Sequence, residues 1–145
     1  MLLFPVHLPG HWVLIVVDGR AGREYVGVRD SCSKSVGPTE DGQAVEAAKY
    51  IRDWLSCGAG DIAAGAGAGT PHRFDSVRSW PIVAIGGPLQ TNGDDCGVHV
   101  LVAAEGIVLS DPQTGAAGYT LDYVGTSDTM DRARYSMHAW MLQDA

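Results

Sequence analysis

The chain has 145 residues, of which 46% are hydrophobic and 19% charged, and this is the length and apolar content of one compact globular domain. Asp and Glu outnumber Lys and Arg by 17 to 10, and the formal net charge of -7 disfavours a phosphate-binding surface and therefore a nucleic-acid partner. No apolar run reaches the roughly 20 residues of a membrane-spanning helix, so no membrane partner is expected. We expect residues 1–145 to form a single domain.

The N-terminal segment Met1–Val17 is apolar enough to raise the question of a signal peptide, but its pattern favours folded structure. No Lys or Arg precedes Arg20, and His7, Pro9 and His11 interrupt the apolar run. We therefore expect this segment to be part of the folded domain.

Three cysteines, Cys32, Cys57 and Cys96, cannot all pair with one another within one chain. No two of them have the C-x-x-C spacing of a metal site or a redox pair. At least one thiol is therefore expected to be free, which favours a reducing compartment.

A β-hairpin is predicted near the N-terminus. His11–Val17 is an almost unbroken apolar run rich in Val and Ile, which is typical of a strand buried on both faces. Glu24–Arg29 alternates polar and apolar residues, as a hairpin partner with one wetter face does. The hairpin places His11 at the start of one strand and Asp30 at the end of its neighbour.

An amphipathic helix is predicted to follow the hairpin. Apolar residues recur at three- and four-residue steps between Asp41 and Leu55, and Gly58 is a plausible stop. The segment 58–70 is rich in Gly and Ala and is expected to be a mobile surface loop.

A strand and two helices are predicted in the second half of the chain. Ser79–Ile85 has the pattern of a strand, and Gly97–Leu109 that of a buried helix with Cys96 in its first turn. A last helix is predicted over 127–142, with Asp128 as a fair N-cap. Strands flanked by helices indicate the α+β class, or a mixed α/β layer.

Cys96 is the strongest candidate for chemistry. A thiol at a helix N-terminus lies at the positive end of the helix dipole, which stabilises the nucleophilic thiolate. Gly97 after it allows a substrate backbone to approach closely. An isolated cysteine is more often a buried structural residue, so the case for a nucleophile depends on the residues around it.

Those residues offer one candidate for each further role in nucleophilic catalysis. His11 could take the thiol proton, Asp30 could hold the imidazole in the right tautomer, and Gln90 could donate a hydrogen bond to a developing oxyanion. His99 is a rival base, although we interpret it as a packed helix histidine because no acid partner is apparent for it in the sequence.

The residue runs His11-Trp12, Asp30-Ser31 and 90–97 resemble the ubiquitin-like-protein-specific cysteine protease family, of the SUMO or sentrin protease type. The family's order is His, Asp, Gln, Cys, and its pattern Q-x-N-x-x-D-C-G is matched position by position here as QTNGDDCG. A run of this length is far more specific than an isolated Cys-Gly pair.

The resemblance implies a papain-like core with its motifs in permuted order, in which a mixed sheet is flanked by helices. It implies cleavage after the C-terminal Gly-Gly of a ubiquitin-like modifier, either SUMO or a neddylation-type one, to deconjugate it from lysine or to mature its precursor. The roles carried over by position are these: His11 is the base, Asp30 its orienter, Cys96 the nucleophile and Gln90 the oxyanion donor, while Trp12 and Gly97 bind the substrate.

The family's chemistry needs no metal or organic cofactor, and its usual setting is the cytoplasm or the nucleus. Family domains usually carry a further sheet-and-helix segment before the strand that delivers the histidine, so we expect an N-terminally short version of the domain. Two alternatives stay open: an inactive domain that only binds a ubiquitin-like tail, and an acyltransferase with the same Cys-His-Asp set.

Four other residues are assigned lesser roles. Cys32 and Cys57 are interpreted as bystander thiols, and Asp18 as a turn residue too far from His11 to orient it. His7 precedes His11 by four residues, but the intervening Pro and Gly preclude a helical zinc pair. We therefore expect no metal site.

Overall fold

The computed structural model describes residues 1–32, 42–65, 76–109 and 130–135. The elements in chain order are β1 (Leu2–Leu8), β2 (His11–Asp18), β3 (Tyr25–Arg29), α1 (Gln43–Gly65), a 3-10 turn (Val77–Ser79), β4 (Ile82–Ala84) and α2 (Cys96–Leu109). Residues 130–135 are also helical.

The strands form one four-stranded sheet in the order β1-β2-β3-β4. The first three strands are antiparallel neighbours, whereas β4 lies parallel to β3 because α1 crosses over between them. The turn between β1 and β2 contains Gly10 at a φ of 72°, a conformation that glycine adopts without steric cost. A mixed sheet with helices confirms the α+β class.

Strand β2 is the centre of two hydrophobic cores. Val13, Ile15 and Val17 face the side that α1 covers, while Leu14 and Val16 face the side that α2 covers. All five side chains are fully buried. Because each such burial stabilises the fold by about 1.5–3 kcal/mol, β2 is firmly held, and the prediction of a strand buried on both faces is confirmed.

Helix α1 is longer than predicted. It runs through Gly58 to Gly65, so the loop prediction is wrong for 58–65. A glycine inside a helix costs only about 1 kcal/mol relative to alanine and does not by itself end the helix. Residues 66–70 of the predicted loop lie outside the described residues.

Two elements depart further from the predictions. Strand β1 lies before the predicted hairpin and was not itself predicted. All five residues of β3 are buried, so the prediction that this strand has one wetter face is wrong.

The later elements follow the predictions with small shifts. Strand β4 is shorter than predicted, and Ser79 belongs to the 3-10 turn that precedes it. Two further backbone hydrogen bonds join this segment to β3: the Val26 N–H donates to the Pro81 oxygen at 2.9 Å, and the Ile85 N–H donates to the Val28 oxygen at 2.8 Å. Helix α2 begins at Cys96 as predicted. Only 130–135 of the predicted last helix are described.

The described helices do not have the features of a membrane span. None of them combines the length and the apolar character needed to cross a bilayer.

Candidate active site

His11 and Asp30 meet at the edge of the sheet, where β2 begins and β3 has just ended. Asp30 Oδ1 lies 2.8 Å from His11 Nε2, and the side chains are 23% and 18% exposed. An ionised carboxylate only accepts hydrogen bonds, so Nε2–H donates and Nδ1 carries the lone pair of the neutral ring. Asp30 therefore selects the tautomer in which Nδ1 can accept a proton.

The Nδ1 atom of His11 faces a thiol that the sequence analysis treated as a bystander. Cys32 Sγ lies 3.5 Å from Nδ1, and the Cys32 backbone N–H donates to Asp30 Oδ1 at 2.8 Å. Cys32 is exposed, but partial desolvation raises the pKa of its thiol, and Asp30 and Cys96 raise it further. Cys32 is therefore a protonated thiol at neutral pH and can donate its S–H to Nδ1.

The antiparallel register of β2 and β3 explains this contact. The ladder ends with Leu14 opposite Arg29, and continuing the same register three residues further places Cys32 opposite His11. The sequence signal for the contact between Cys32 and His11 was the register of the predicted hairpin. Assigning that register would have aligned Cys32 with the histidine.

The side chain of Gln90 is held from both ends. Ser31 Oγ donates to Gln90 Oε1 at 2.8 Å, and Gln90 Nε2 donates to the Asn92 backbone oxygen at 2.6 Å. The Gln90 backbone N–H also donates to the Ser31 backbone oxygen at 2.9 Å. A primary amide has two N–H bonds, so one remains for a further acceptor.

The turn before α2 is shaped by Asn92. Its Oδ1 accepts hydrogen bonds from the backbone N–H groups of Asp94 and Asp95 at 3.0 and 3.1 Å, and its Nδ2 donates to Asp95 Oδ2 at 2.7 Å. The Asp95 carboxylate is buried and forms an ion pair with Arg134. These contacts fix the chain direction just before Cys96, a role for which the matched Q-x-N-x-x-D-C-G pattern was the only sequence signal.

Cys96 opens α2 and is buried, with 7% of its surface exposed. A Cβ atom at Gly97 would lie 3.8 Å from Trp12 Cδ1, so the indole stands beside the first turn of α2. Trp12 is 40% exposed, and its ring centroid lies 4.8 Å from that of His7. The structure thus brings Trp12 and Gly97 together, and His7 packs on the indole.

The other two candidates, His99 and Asp18, are buried. His99 is 2% exposed, and burial followed by the charge of Arg29 lowers its pKa, as expected for a neutral packed histidine. Asp18 is the last residue of β2 rather than an exposed turn residue; it is fully buried and pairs with Arg20. Asp18 and His11 are the last and first residues of β2, so the length of the strand separates them.

A comparison with protein families adds to this geometry. The family model described as "Ulp1 protease family, C-terminal catalytic domain" matches residues 1–138. The chain belongs to the Ulp1 protease family. It is therefore a member of a cysteine protease family that acts on ubiquitin-like modifiers, and the resemblance drawn from the motifs is confirmed. Neither the curated proteins nor the solved structures gave a match.

Proposed function

We propose that this Ulp1-family domain hydrolyses the bond after the C-terminal glycine of a ubiquitin-like modifier, with Cys96 as nucleophile, His11 as general base, Asp30 as its orienter and Gln90 as oxyanion donor. The observation that carries the proposal is the 2.8 Å hydrogen bond between His11 Nε2 and Asp30 Oδ1, which leaves Nδ1 ready to accept a proton.

Two thiols compete for the role of nucleophile, and the chemistry favours Cys96. Cys32 is next to Nδ1, but partial desolvation and the nearby Asp30 carboxylate raise its pKa and oppose the reactive thiolate. Cys96 is the first residue of α2 and is the cysteine of the matched Q-x-N-x-x-D-C-G pattern. For Nδ1 to accept a proton from Cys96, the Cys32 S–H must give up its contact with that atom.

The proposed reaction divides one difficult step into two. His11 takes the proton of the Cys96 thiol, the thiolate attacks the glycyl carbonyl carbon, and the protonated His11 then gives this proton to the departing amine as the thioester forms. Water then attacks the thioester carbonyl while His11 takes one proton of that water. The C–S bond breaks, the Cys96 sulfur recovers that proton from His11, and the modifier leaves as a carboxylic acid that ionises in solvent. Each cycle therefore returns the thiol and the imidazole to their starting states.

The remaining N–H of Gln90 supports its role as oxyanion donor. One amide hydrogen is used by the Asn92 carbonyl, so the amide plane is fixed before substrate binds. The backbone N–H of Cys96 would supply the second donor. Trp12 and Gly97 would line a channel too narrow for a side chain, which selects the terminal glycines of the modifier.

The proposal also covers the identity of the modifier, the boundaries of the catalytic domain and the cellular compartment. The modifier would be SUMO or a neddylation-type protein, cleaved from lysine or from its precursor, and residues 1–145 would form one catalytic domain. The three free cysteines support a reducing compartment, the cytoplasm or the nucleus.

Hydrolysis assays with purified modifiers test this proposal. A precursor and a lysine conjugate of each modifier are incubated with the protein, and intact mass spectrometry measures the released tail. We expect tail release from one modifier class, a loss of about 10,000-fold or more in Cys96→Ala, and little change in Cys57→Ala, whose thiol is exposed.

Two other results would replace the proposal. A modifier that binds the wild-type protein and is never cleaved would indicate a tail-binding domain. Transfer of an acyl group to lysine or serine, without release of a tail, would indicate an acyltransferase.

A further inference from the structure

We propose that His11 Nδ1 and Cys32 Sγ form a binding site for a thiophilic divalent cation such as Zn²⁺. The three side chains of His11, Asp30 and Cys32 each offer one ligand atom, and these atoms lie within 4.8 Å of one another. Imidazole nitrogen, thiolate sulfur and carboxylate oxygen are the donors that Zn²⁺ takes in proteins.

The distance between nitrogen and sulfur fits a shared metal ion. In a tetrahedral site with Zn–S of about 2.3 Å and Zn–N of about 2.0 Å, the two donor atoms lie about 3.5 Å apart. Cys32 Sγ and His11 Nδ1 are 3.5 Å apart. The ion would therefore replace the S–H proton between them without moving either side chain, and that proton would go to solvent.

Asp30 would support the ion from the outer shell. Its Oδ1 accepts the Nε2–H of His11 at 2.8 Å, which already orients the ring so that the Nδ1 lone pair faces Cys32. A carboxylate on the far nitrogen of a metal-bound histidine fixes the tautomer and raises the basicity of the ligand. The formal charge of -7 on the chain adds a general attraction for cations.

The remaining positions would be filled by water or by the Cys96 thiolate. Cys96 is near enough to Cys32 to raise its pKa. The pair of ligands that defines the proposed site is nevertheless His11 with Cys32, because Nδ1 and Sγ have the separation that two ligands of one metal ion have.

Occupancy of this site would inhibit the protein, and this consequence rests on the proposed function. Nδ1 is the atom that we propose as the proton acceptor, and a bound ion takes its lone pair. Micromolar Zn²⁺ is therefore expected to block hydrolysis through Cys32, a residue outside the proposed catalytic set.

Binding is tested first, without reference to activity. The metal-free protein is titrated with Co²⁺, whose thiolate charge-transfer absorption reports a Co–S bond, and Zn²⁺ is then added to displace it. We expect one ion per chain in the wild-type protein, affinity at least tenfold weaker in Cys32→Ser, and no change in Cys57→Ser, the matched control at an exposed cysteine.

Comparing Cys32→Ser with Cys96→Ser shows which thiol binds the metal ion. Unchanged affinity in Cys32→Ser would overturn the proposal, as would a signal that survives in Cys32→Ser and disappears only in Cys96→Ser. In the hydrolysis assay, each variant is compared with its own metal-free rate, and Cys32→Ser should need at least tenfold more Zn²⁺ for half inhibition. If the metal-free wild-type protein hydrolyses no modifier, the proposed function fails, while the Co²⁺ titration still decides on the metal site.

Discussion

The two halves of the candidate site are held in different ways. His11 and Asp30 are joined directly to each other and lie at the ends of β2 and β3, two strands whose ladder sets their spacing. Gln90 and Cys96 lie on a turn and a helix start, and their positions depend on side-chain contacts within the loop. The base is therefore positioned by the sheet, and the oxyanion donor by a polar network.

This difference indicates which changes should affect chemistry and which should affect folding. A change at Asp30 removes one contact to the base but leaves the ladder of β2 and β3 in place. A change in the network around Asn92 removes contacts that determine the path of the chain into α2. The predictions below test this contrast, beginning with the largest effect.

The largest effect is expected for Asp30→Asn. An amide can turn its NH₂ group toward Nε2, which stabilises the tautomer with hydrogen on Nδ1 and leaves no acceptor for the thiol proton. We expect kcat/KM to fall by about 100- to 10,000-fold, measured by modifier hydrolysis, while the unfolding midpoint changes little. The control is Asp53→Asn on the exposed side of α1; an equal loss of activity there would contradict the assignment.

A smaller loss is expected for Gln90→Ala. Removal of an oxyanion donor typically costs about 100-fold in kcat, and the affinity for the modifier should change much less. The matched control is Gln43→Ala, at the exposed first residue of α1. Ser31→Ala sharpens the test, because it removes the bond to Oε1 and keeps the amide N–H. Its loss should be about tenfold, and a loss equal to that of Gln90→Ala would assign the effect to loop structure.

Asp18 lies at the opposite end of β2 from His11. Changes at this end of the strand are expected to affect the stability of the fold and not hydrolysis. Burial would raise the pKa of this carboxyl, but the hydrogen bonds and charge of Arg20 outweigh burial and lower it below 3.8. The ion pair therefore stabilises the fold fully above about pH 4 and loses this contribution as pH falls below the ordinary value.

The corresponding variant is Arg20→Gln. It should lower the free energy of unfolding by about 2 kcal/mol at pH 7, measured with urea, because it leaves a buried carboxylate with fewer partners. The difference from the wild-type protein should shrink as the pH falls from 5 to 3. A difference that grows toward low pH, or a change in hydrolysis with folding intact, would contradict this separation of the two ends of β2.

The smallest effect is expected for Arg134→Met. The change leaves the buried Asp95 carboxylate its hydrogen bond from Asn92, but Arg134 is 43% exposed and solvent screens the ion pair. We expect a loss of about 1 kcal/mol in thermal unfolding. The control Asp131→Asn removes the exposed partner of the same arginine and should cost less than about 0.5 kcal/mol.

Much of the fold and of the site could be predicted from the sequence. The apolar run of β2 and the motif before α2 determined which residues would be strand, helix and candidate site, and the structure joins His11 to Asp30 as their positions at two strand ends predicted. These features depend on local pattern, which one sequence contains.

Besides strand β1, which lies outside the predicted hairpin, two features were not predicted from local pattern. The end of α1 depends on a balance of about 1 kcal/mol at Gly58, which is too small for composition to decide. The contact of Cys32 with His11 depends on the register of β2 and β3, and a shift of one residue would have turned the thiol to the other face of the sheet.

The most direct test of the central claim is to map which thiol reacts with a ubiquitin-like tail that carries a C-terminal electrophile. The wild-type protein is labelled and digested, and peptide mass spectrometry locates the adduct. We predict an adduct on Cys96 that requires His11 and that still forms in Cys32→Ser. An adduct on Cys32 that forms equally in Cys96→Ala would contradict the account, because the thiol beside Nδ1 would then be the nucleophile.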